Sequence, residues 1–390
     1  MTQQNGTYKM ATQPVSMLTL ISGPAELSYS RNPIAIQLQT TALDSTVLLD
    51  IFDDYGNKLI TLQGRPDSGF IVNFEISSIL DTLVEFDAPQ IGDDITTKTK
   101  IVSKYYCIAT EYDANLAILS TRNIGWDGST ASLWVIKGGL NNEASGQDIF
   151  SFLTSNQKFL TWRTKYRATK SQQVFLYYLS QFTEDMDILA TVYFTDGTSG
   201  TKTIGTKSLN KYDILSINAG YNSNLLDQEF PNRVPYKYIL SVEKDATTRA
   251  SIEIQLDDED YFEPITILNP NSLGGFDSNR FDGAGTAIQN TNKKIAERNY
   301  AYNVRDFSFG NSTQKGYEIA SGYKSKEEID ALTDFLNLDG YQVVNSQLVP
   351  VIADKSTKLK INVKNGLNAV TIKFTRANKN KNYTPDGFLS

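Results

Sequence analysis

The sequence predicts a mainly β protein: two tandem β-sandwich-like domains followed by a smaller α+β domain. Three observations carry this expectation. Short runs of β-branched and aromatic residues recur between clusters of Gly, Asp and Asn. Tyr (21) and Phe (19) are abundant, as suits pleated, half-buried surfaces. Cysteine occurs once, at Cys107, so no intramolecular disulfide can form and packing must hold the fold. With 390 residues, 40% apolar and 21% charged, the chain is long enough for two or three domains with real cores.

Residues 34–38, 47–52 and 58–62 read as strands, and Asp53-Asp54-Tyr55-Gly56-Asn57 as the hairpin turn joining the last two. Residues 191–194, followed by Asp196-Gly197-Thr198-Ser199-Gly200, repeat that arrangement. Near the C-terminus, residues 358–364 alternate with period two, Asn365-Gly366 supplies a type I′ turn, and residues 369–374 return. In that register Ile361 faces Val370 and Leu359 faces Ile372, so both apolar pairs share one face. One segment reads firmly as helix. Ser325-Lys326-Glu327-Glu328 is a capping box, Ile329, Leu332, Phe335 and Leu336 form one apolar stripe, and Asp339-Gly340 ends the run. This helix is expected to pack on the sheet containing the 358–374 hairpin. A short second helix is expected around residues 145–154.

Two stretches follow the same order of events. Asp54, Ile76, Tyr105 and Gly138 match Asp196, Ile217, Tyr238 and Gly274 at offsets of 142, 141, 133 and 136 residues. Near-constant spacing implies two similar β domains. The expected division is a β domain over 1–141, a polar linker over 142–158, a second, similar β domain over 159–276, and an α+β domain over 277–390.

Histidine is absent, which excludes a Ser-His-Asp triad, a Cys-His pair and His-ligated zinc. The acidic run Asp257-Asp258-Glu259-Asp260 lacks EF-hand spacing and reads as a solvated turn. Gly274-Gly275 and Gly283-Ala284-Gly285 lack the Gly-Lys-Ser/Thr of a phosphate loop and fit tight turns or close backbone approach. No catalytic, cofactor-binding or metal-ligating residue is assigned, no cofactor is implied, and no enzymatic activity is expected.

The net charge is −7, unevenly spread. Residues 351–390 carry eight cations against two carboxylates, a net +6, which leaves −13 on residues 1–350. Lys358, Lys360, Lys364, Lys373 and Arg376 are therefore candidates to meet an acidic neighbour in an assembly. The acidic balance and the lack of interleaved aromatics disfavour nucleic acid. Trp126 and Trp162, with Trp134, Tyr177 and Tyr178, are candidates for a sugar-stacking platform, against the ordinary alternative of core packing. No basic start precedes a long apolar run and no window approaches 18 apolar residues, so neither a signal peptide nor a membrane span is expected. The expected site of synthesis is the cytoplasm.

Residues 267–277, Ile-Leu-Asn-Pro-Asn-Ser-Leu-Gly-Gly-Phe-Asp, resemble a segment of tail-region virion structural proteins encoded by phages and prophages of Bacteroidota. Residues 321–328, 348–352 and 373–377, with Tyr383 beyond, look like the same family, and so do Phe159-Leu160-Thr161-Trp162-Arg163 and residues 193–197. The resemblance covers roughly residues 155–390 and the first third more loosely. It implies a non-enzymatic virion component of the tail or distal baseplate, made in the host cytoplasm. Such a part would form a symmetric homo-oligomer contacting other virion tail proteins. The alternative is a receptor-binding adhesin of a tail fibre that recognises host surface glycans. A polysaccharide depolymerase would need a pair of facing carboxylates that the sequence does not single out.

Overall fold

The computed structural model describes residues 17–140, 158–257, 264–300, 303–355 and 368–377, together with Leu153, Thr357 and Leu359. Strands account for 53% and helices for 7%, so the fold is mainly β, as the punctuated β runs predict. The chain divides into two compact units: residues 1–87 with 98–152, and residues 88–97 with 153–390.

In the first unit, β1 (Thr19–Ser22), β3 (Ala35–Gln39) and β6 (Ile71–Glu75) form an antiparallel sheet in the order β1-β3-β6. A larger sheet runs β2 (Leu27–Tyr29), β10 (Leu133–Ile136), β8 (Val102–Tyr112), β4 (Thr46–Asp53), β5 (Lys58–Gly64), with β9 (Ile118–Ile124) also on β8. Alternation explains the sandwich. Val47, Leu49 and Ile51 on β4 are buried, as are Tyr105, Cys107 and Ala109 on β8, and they share a core with Ile36, Leu38, Val72 and Phe74 of the small sheet. A buried Leu or Ile contributes about 2 kcal/mol here. Burial also pushes the Cys107 thiol up to about 12, so the lone sulfur is a packing group. The 53–57 turn forms where expected. The Asp53 carboxylate accepts from the amides of Tyr55 (2.9 Å) and Asn57 (2.8 Å), and Gly56 takes φ +80°. Helix α1 (Ser77–Leu80) follows β6.

The second unit contains a sandwich of the same design. Its large sheet runs β11 (Lys165–Ala168), β17 (Thr247–Leu256), β16 (Pro235–Lys244), β13 (Glu184–Phe194), β14 (Ser199–Leu209). Its small sheet runs β12 (Phe175–Leu179), β15 (Ile214–Asn218), β7 (Ile95–Lys98). In both units the first strand of the large sheet lies parallel to the last, β2 on β10 and β11 on β17. The last pairs with a long central strand, which pairs in turn with a hairpin. Three of the four sequence landmarks fall at equivalent places in the two sandwiches: the 54/196 turns, the 76/217 inner-sheet positions and the 105/238 central strands. The fourth does not. Gly138 follows β10, whose counterpart is β17, whereas Gly274 belongs to a different sheet. The sandwich also borrows residues 88–97, an excursion the sequence division assigned wholly to the first domain.

The third sheet is seven-stranded and curled. Its order is β19 (Phe276–Phe281), β18 (Ile265–Pro270), β22 (Gly340–Val344), β23 (Gln347–Ala353), β24 (Thr371–Arg376), β21 (Asn303–Ala320), β20 (Gly285–Tyr300). The sequence boundary at 276/277 therefore falls in β19 and separates it from its hairpin partner β18. Helix α2 (Leu226–Glu229) belongs to the sandwich, and α3 (Lys326–Asp330) and α4 (Leu332–Leu338) to the curled sheet. The capping box is present: the Ser325 hydroxyl accepts from the Glu328 amide (3.3 Å) and the Ser325 amide donates to the Glu328 carboxylate (2.8 Å). Ile329, Leu332 and Phe335 pack on Ile267, Phe281, Ile319, Val351, Ile372 and Phe374. Helix-on-sheet packing thus matches the expected partner strand at 371–374. That strand pairs with β21 and β23. Residues 358 and 360–367, which hold Lys358, Lys360, Lys364 and the Asn365-Gly366 turn, lie outside the described residues. So do the 145–154 helix, except Leu153, and all of the 142–158 linker but Leu153 and Lys158.

Among the described residues, beyond its pairing with β24 at residues 316–320, β21 is paired with β20 alone. Residues 289–300 and 303–315 thus form a two-stranded ribbon, about 40 Å long at roughly 3.3 Å per residue.

Ser325→Ala removes the N-cap acceptor and should lower stability by about 1 kcal/mol in denaturant unfolding of the second unit. An unchanged midpoint would mean the box contributes nothing.

Candidate interaction site

Two of the segments quoted for the resemblance, 159–163 and 267–277, meet inside the second unit. The turn between β18 and β19 is built by Asn271. Its side-chain carbonyl accepts from the amides of Leu273 (3.0 Å) and Gly275 (3.1 Å), and its side-chain amide donates to the Leu160 carbonyl (2.8 Å). Gly274 takes φ +92°, and a Cβ on Gly275 would stand 2.4 Å from the Leu160 carbonyl oxygen. The double glycine therefore serves close backbone approach, as the sequence predicts. Gly283 does likewise, 2.6 Å from the Ala320 Cβ.

Every residue of β19 is buried, on both faces. The Asp277 carboxylate accepts from the hydroxyls of Thr161 (2.6 Å) and Tyr166 (2.7 Å). Arg163 donates to Asn279, which donates to Asn269 at 2.5 Å. The Trp162 indole donates to Ser272 (2.6 Å), whose hydroxyl donates to Asp334 on α4 (3.2 Å). Thr164 donates to Glu327 on α3 (2.9 Å). Arg280 reaches Asp257 at 2.6 Å and Asp282 at 2.6 Å, and Arg167 reaches Asp257 at 3.1 Å. Asp257 is thus a buried partner of two arginines, and the solvated-turn reading is corrected for it. Residues 258–260 lie outside the described residues. Burial alone would raise the Glu328 carboxyl, but the Ser325 amide, the Lys324 and Arg163 cations and the Ser325 hydroxyl together hold it below the usual range. Buried polar groups at this density are stable only when paired, so the strap 158–167 and the β18–β19 hairpin must fold together.

The sequence-predicted interaction residues do not assemble into one site. Lys373 sits on β24 with its ammonium 3.0 Å from Glu318. Arg376 turns into the sheet, donating to Gln342 (3.1 Å) and to the Tyr317 hydroxyl (3.1 Å). Both cations have partners within the curled sheet. Tyr177 and Tyr178 are buried at 1% and 4% exposure, which removes them from any sugar platform. Trp162 is held by Ser272. Trp126 remains half-exposed on the outer face of the first sandwich, where it packs on Tyr106 (4.4 Å), which stacks on Phe52 (4.8 Å). An open groove of about 720 Å³ in the same unit is lined by Leu43, Asp44, Arg65, Tyr112, Asp113 and Leu116.

Sequence reasoning missed the ribbon, because residues 285–320 show neither clean apolar alternation nor a turn signature. It also missed Asp277, Asn279 and Arg280 as interior groups. Their sole signal was polar residues in a motif shared with an interior aromatic, Phe276. No protein-family model and no curated protein sequence matches this chain.

Asp277→Ala strands the Thr161 and Tyr166 hydroxyls and should cost roughly 3 kcal/mol, measured by thermal or chemical unfolding. Gly275→Ala should cost about 1–3 kcal/mol by steric conflict with backbone. A neutral effect of both would dismiss the hairpin as a structural keystone. The depressed Glu328 carboxyl gives a pH signature. The unfolded chain binds this proton at higher pH than the folded one, so its contribution is complete above the ordinary glutamate pKa. It fades as pH falls through the lower folded value. Glu328→Gln should flatten that acid limb in a stability-against-pH series.

Proposed function

We propose that the chain is a non-enzymatic virion component of a phage tail or distal baseplate, working as an oligomeric structural adaptor that joins tail tube or hub to neighbouring parts. One observation supports this most. The residues that resemble tail-region virion proteins, 159–163 and 267–277, are spent on internal hydrogen bonds that lock a sandwich to a curled sheet. A motif whose side-chain hydrogen bonds run to other parts of the interior maintains a shape. Two sandwiches whose large sheets share one strand order and a long two-stranded ribbon add surface for neighbours. The expected result is that mass spectrometry of purified particles finds the chain as a stoichiometric component, and that the isolated protein forms symmetric oligomers by negative stain. Absence from particles, with no oligomer, would overturn it.

The second reading, a glycan-binding adhesin, is favoured by an aromatic ladder in which the buried Tyr106 lies between the partly exposed Phe52 and Trp126. It predicts a glycan-array signal that Trp126→Ala reduces by about tenfold, roughly 1.4 kcal/mol. A silent array would remove it.

A further inference from the structure

Turns 53–57, 67–71 and 113–117 of the first unit share one hydrogen-bond pattern. In each, an aspartate carboxylate accepts from the amides two and four residues on. The aspartate main chain closes the turn, its amide donating to the fifth residue and its carbonyl accepting from the fourth. That fourth residue is left-handed in all three: Gly56 at φ +80°, Phe70 at φ +63° and Leu116 at φ +64°. Glycine takes this conformation freely, whereas a Cβ disfavours it. Phe70 is half-buried and its carbonyl accepts from the Thr40 amide (2.8 Å), so its conformation serves the fold. Leu116 differs, because its side chain is 79% exposed. An apolar side chain on a strained backbone, left in water, gains nothing for an isolated chain.

Leu116 lines the open groove of about 720 Å³, together with Leu43, which is 52% exposed. Leu48 and Tyr112 supply a half-buried apolar wall on the outer face of the larger sheet, opposite the core residues Val47 and Leu49. Asp44 and Arg65 line the same groove and are exposed. Among the described residues, neither of these two side chains has an ion-pair or hydrogen-bond partner. The Asp113 carboxylate is already engaged by the amides of Asn115 and Ala117, at 2.8 Å each. The groove thus combines an exposed apolar anchor, an apolar recess and one unpaired charge of each sign. Such a surface is complementary to itself, because in a two-fold contact residue i meets residue j and j meets i. We propose that this groove docks against the same groove of a second copy. Leu116 of each chain enters the recess of the other, and Asp44 of each faces Arg65 of the other. The inference rests on the homo-oligomeric part of the proposed function. A partner of one charge sign would meet one matched charge here and one like charge, so the pattern favours a second copy.

The test uses the full chain and its mass distribution in solution across a concentration series. Leu116→Gly removes the anchor and puts at this turn the residue that the 53–57 turn already has. It should raise the apparent dissociation constant about tenfold or more. Its melting temperature, compared at concentrations where both proteins are dissociated, should not fall. A fall in melting temperature with association unchanged would mean that Leu116 serves the fold, and would overturn the inference. Arg65→Asp leaves two carboxylates in the groove, and Asp44→Arg leaves two guanidinium groups. Each should weaken self-association about tenfold or more, and an equimolar mixture of the two should regain it, since every facing pair is again complementary. If wild type associates and all three variants associate equally well, the groove inference fails while the oligomeric reading stands. If the mixture stays dissociated, the two-fold pairing fails. If Arg65→Asp still self-associates but is lost from purified particles, the groove takes a different virion protein and the inference fails. If wild type is monomeric at every concentration, the oligomeric reading fails with it.

Discussion

Burying the polar strand β19 is the constraint on which the second unit depends. A strand with Asp277, Asn279 and Arg280 in its interior has no favourable state unless each group finds a partner. Those partners come from far along the chain. Thr161, Arg163 and Tyr166 arrive from the strap before the second sandwich, and Asp257 from its end; the neighbouring Ser272 and Thr164 reach Asp334 and Glu327 on the helices beside the curled sheet. Each hydrogen bond alone adds about 1 kcal/mol, but leaving any of these groups unpaired costs more than that. The network therefore selects one arrangement of strap, hairpin and helices rather than adding much to stability. Gly275 makes it geometrically accessible, because only a residue without a side chain lets the turn reach the Leu160 carbonyl.

The remainder of the fold follows simpler rules. Each sandwich is closed by alternation, with apolar residues of a large and a small sheet meeting in one core. The shared strand order, including the parallel pairing of the first strand on the last, sets the same frame twice. The curled sheet gathers around two consecutive short helices, α3 and α4, whose Ile329, Leu332 and Phe335 reach β18, β19, β21, β23 and β24. Among the described residues, β20 and β21 continue from this sheet as a two-stranded ribbon with no third strand paired to it. A long edge of unpaired backbone invites further pairing.

The legible parts were those where one local pattern decides the outcome. The β4–β5 hairpin was legible because Val47, Leu49 and Ile51 alternate before an Asp-rich turn. The helix was legible because Ser325 and Glu328 cap it and the apolar stripe has helical spacing. The duplicated sandwich was legible in three landmarks and misplaced at the fourth, because Gly138 and Gly274 were matched by composition rather than by strand pairing. Hidden were the features that depend on distant partners. Asp257 looks like surface until Arg167 and Arg280 are beside it, and Arg376 looks like a free cation until Gln342 and Tyr317 hold it. The excursion of residues 88–97 into the second sandwich leaves no local trace. The ribbon was hidden for another reason: residues 285–320 carry no clean period-two hydrophobic signal to read.

The polar groups of the 159–163 and 267–277 segments are directed inward, where they fix the arrangement of strap, hairpin and helices. Image reconstruction of the purified protein tests the proposed adaptor role most directly. The proposal predicts a symmetric array of copies. A solitary chain with a ligand held in a deep cleft would contradict it.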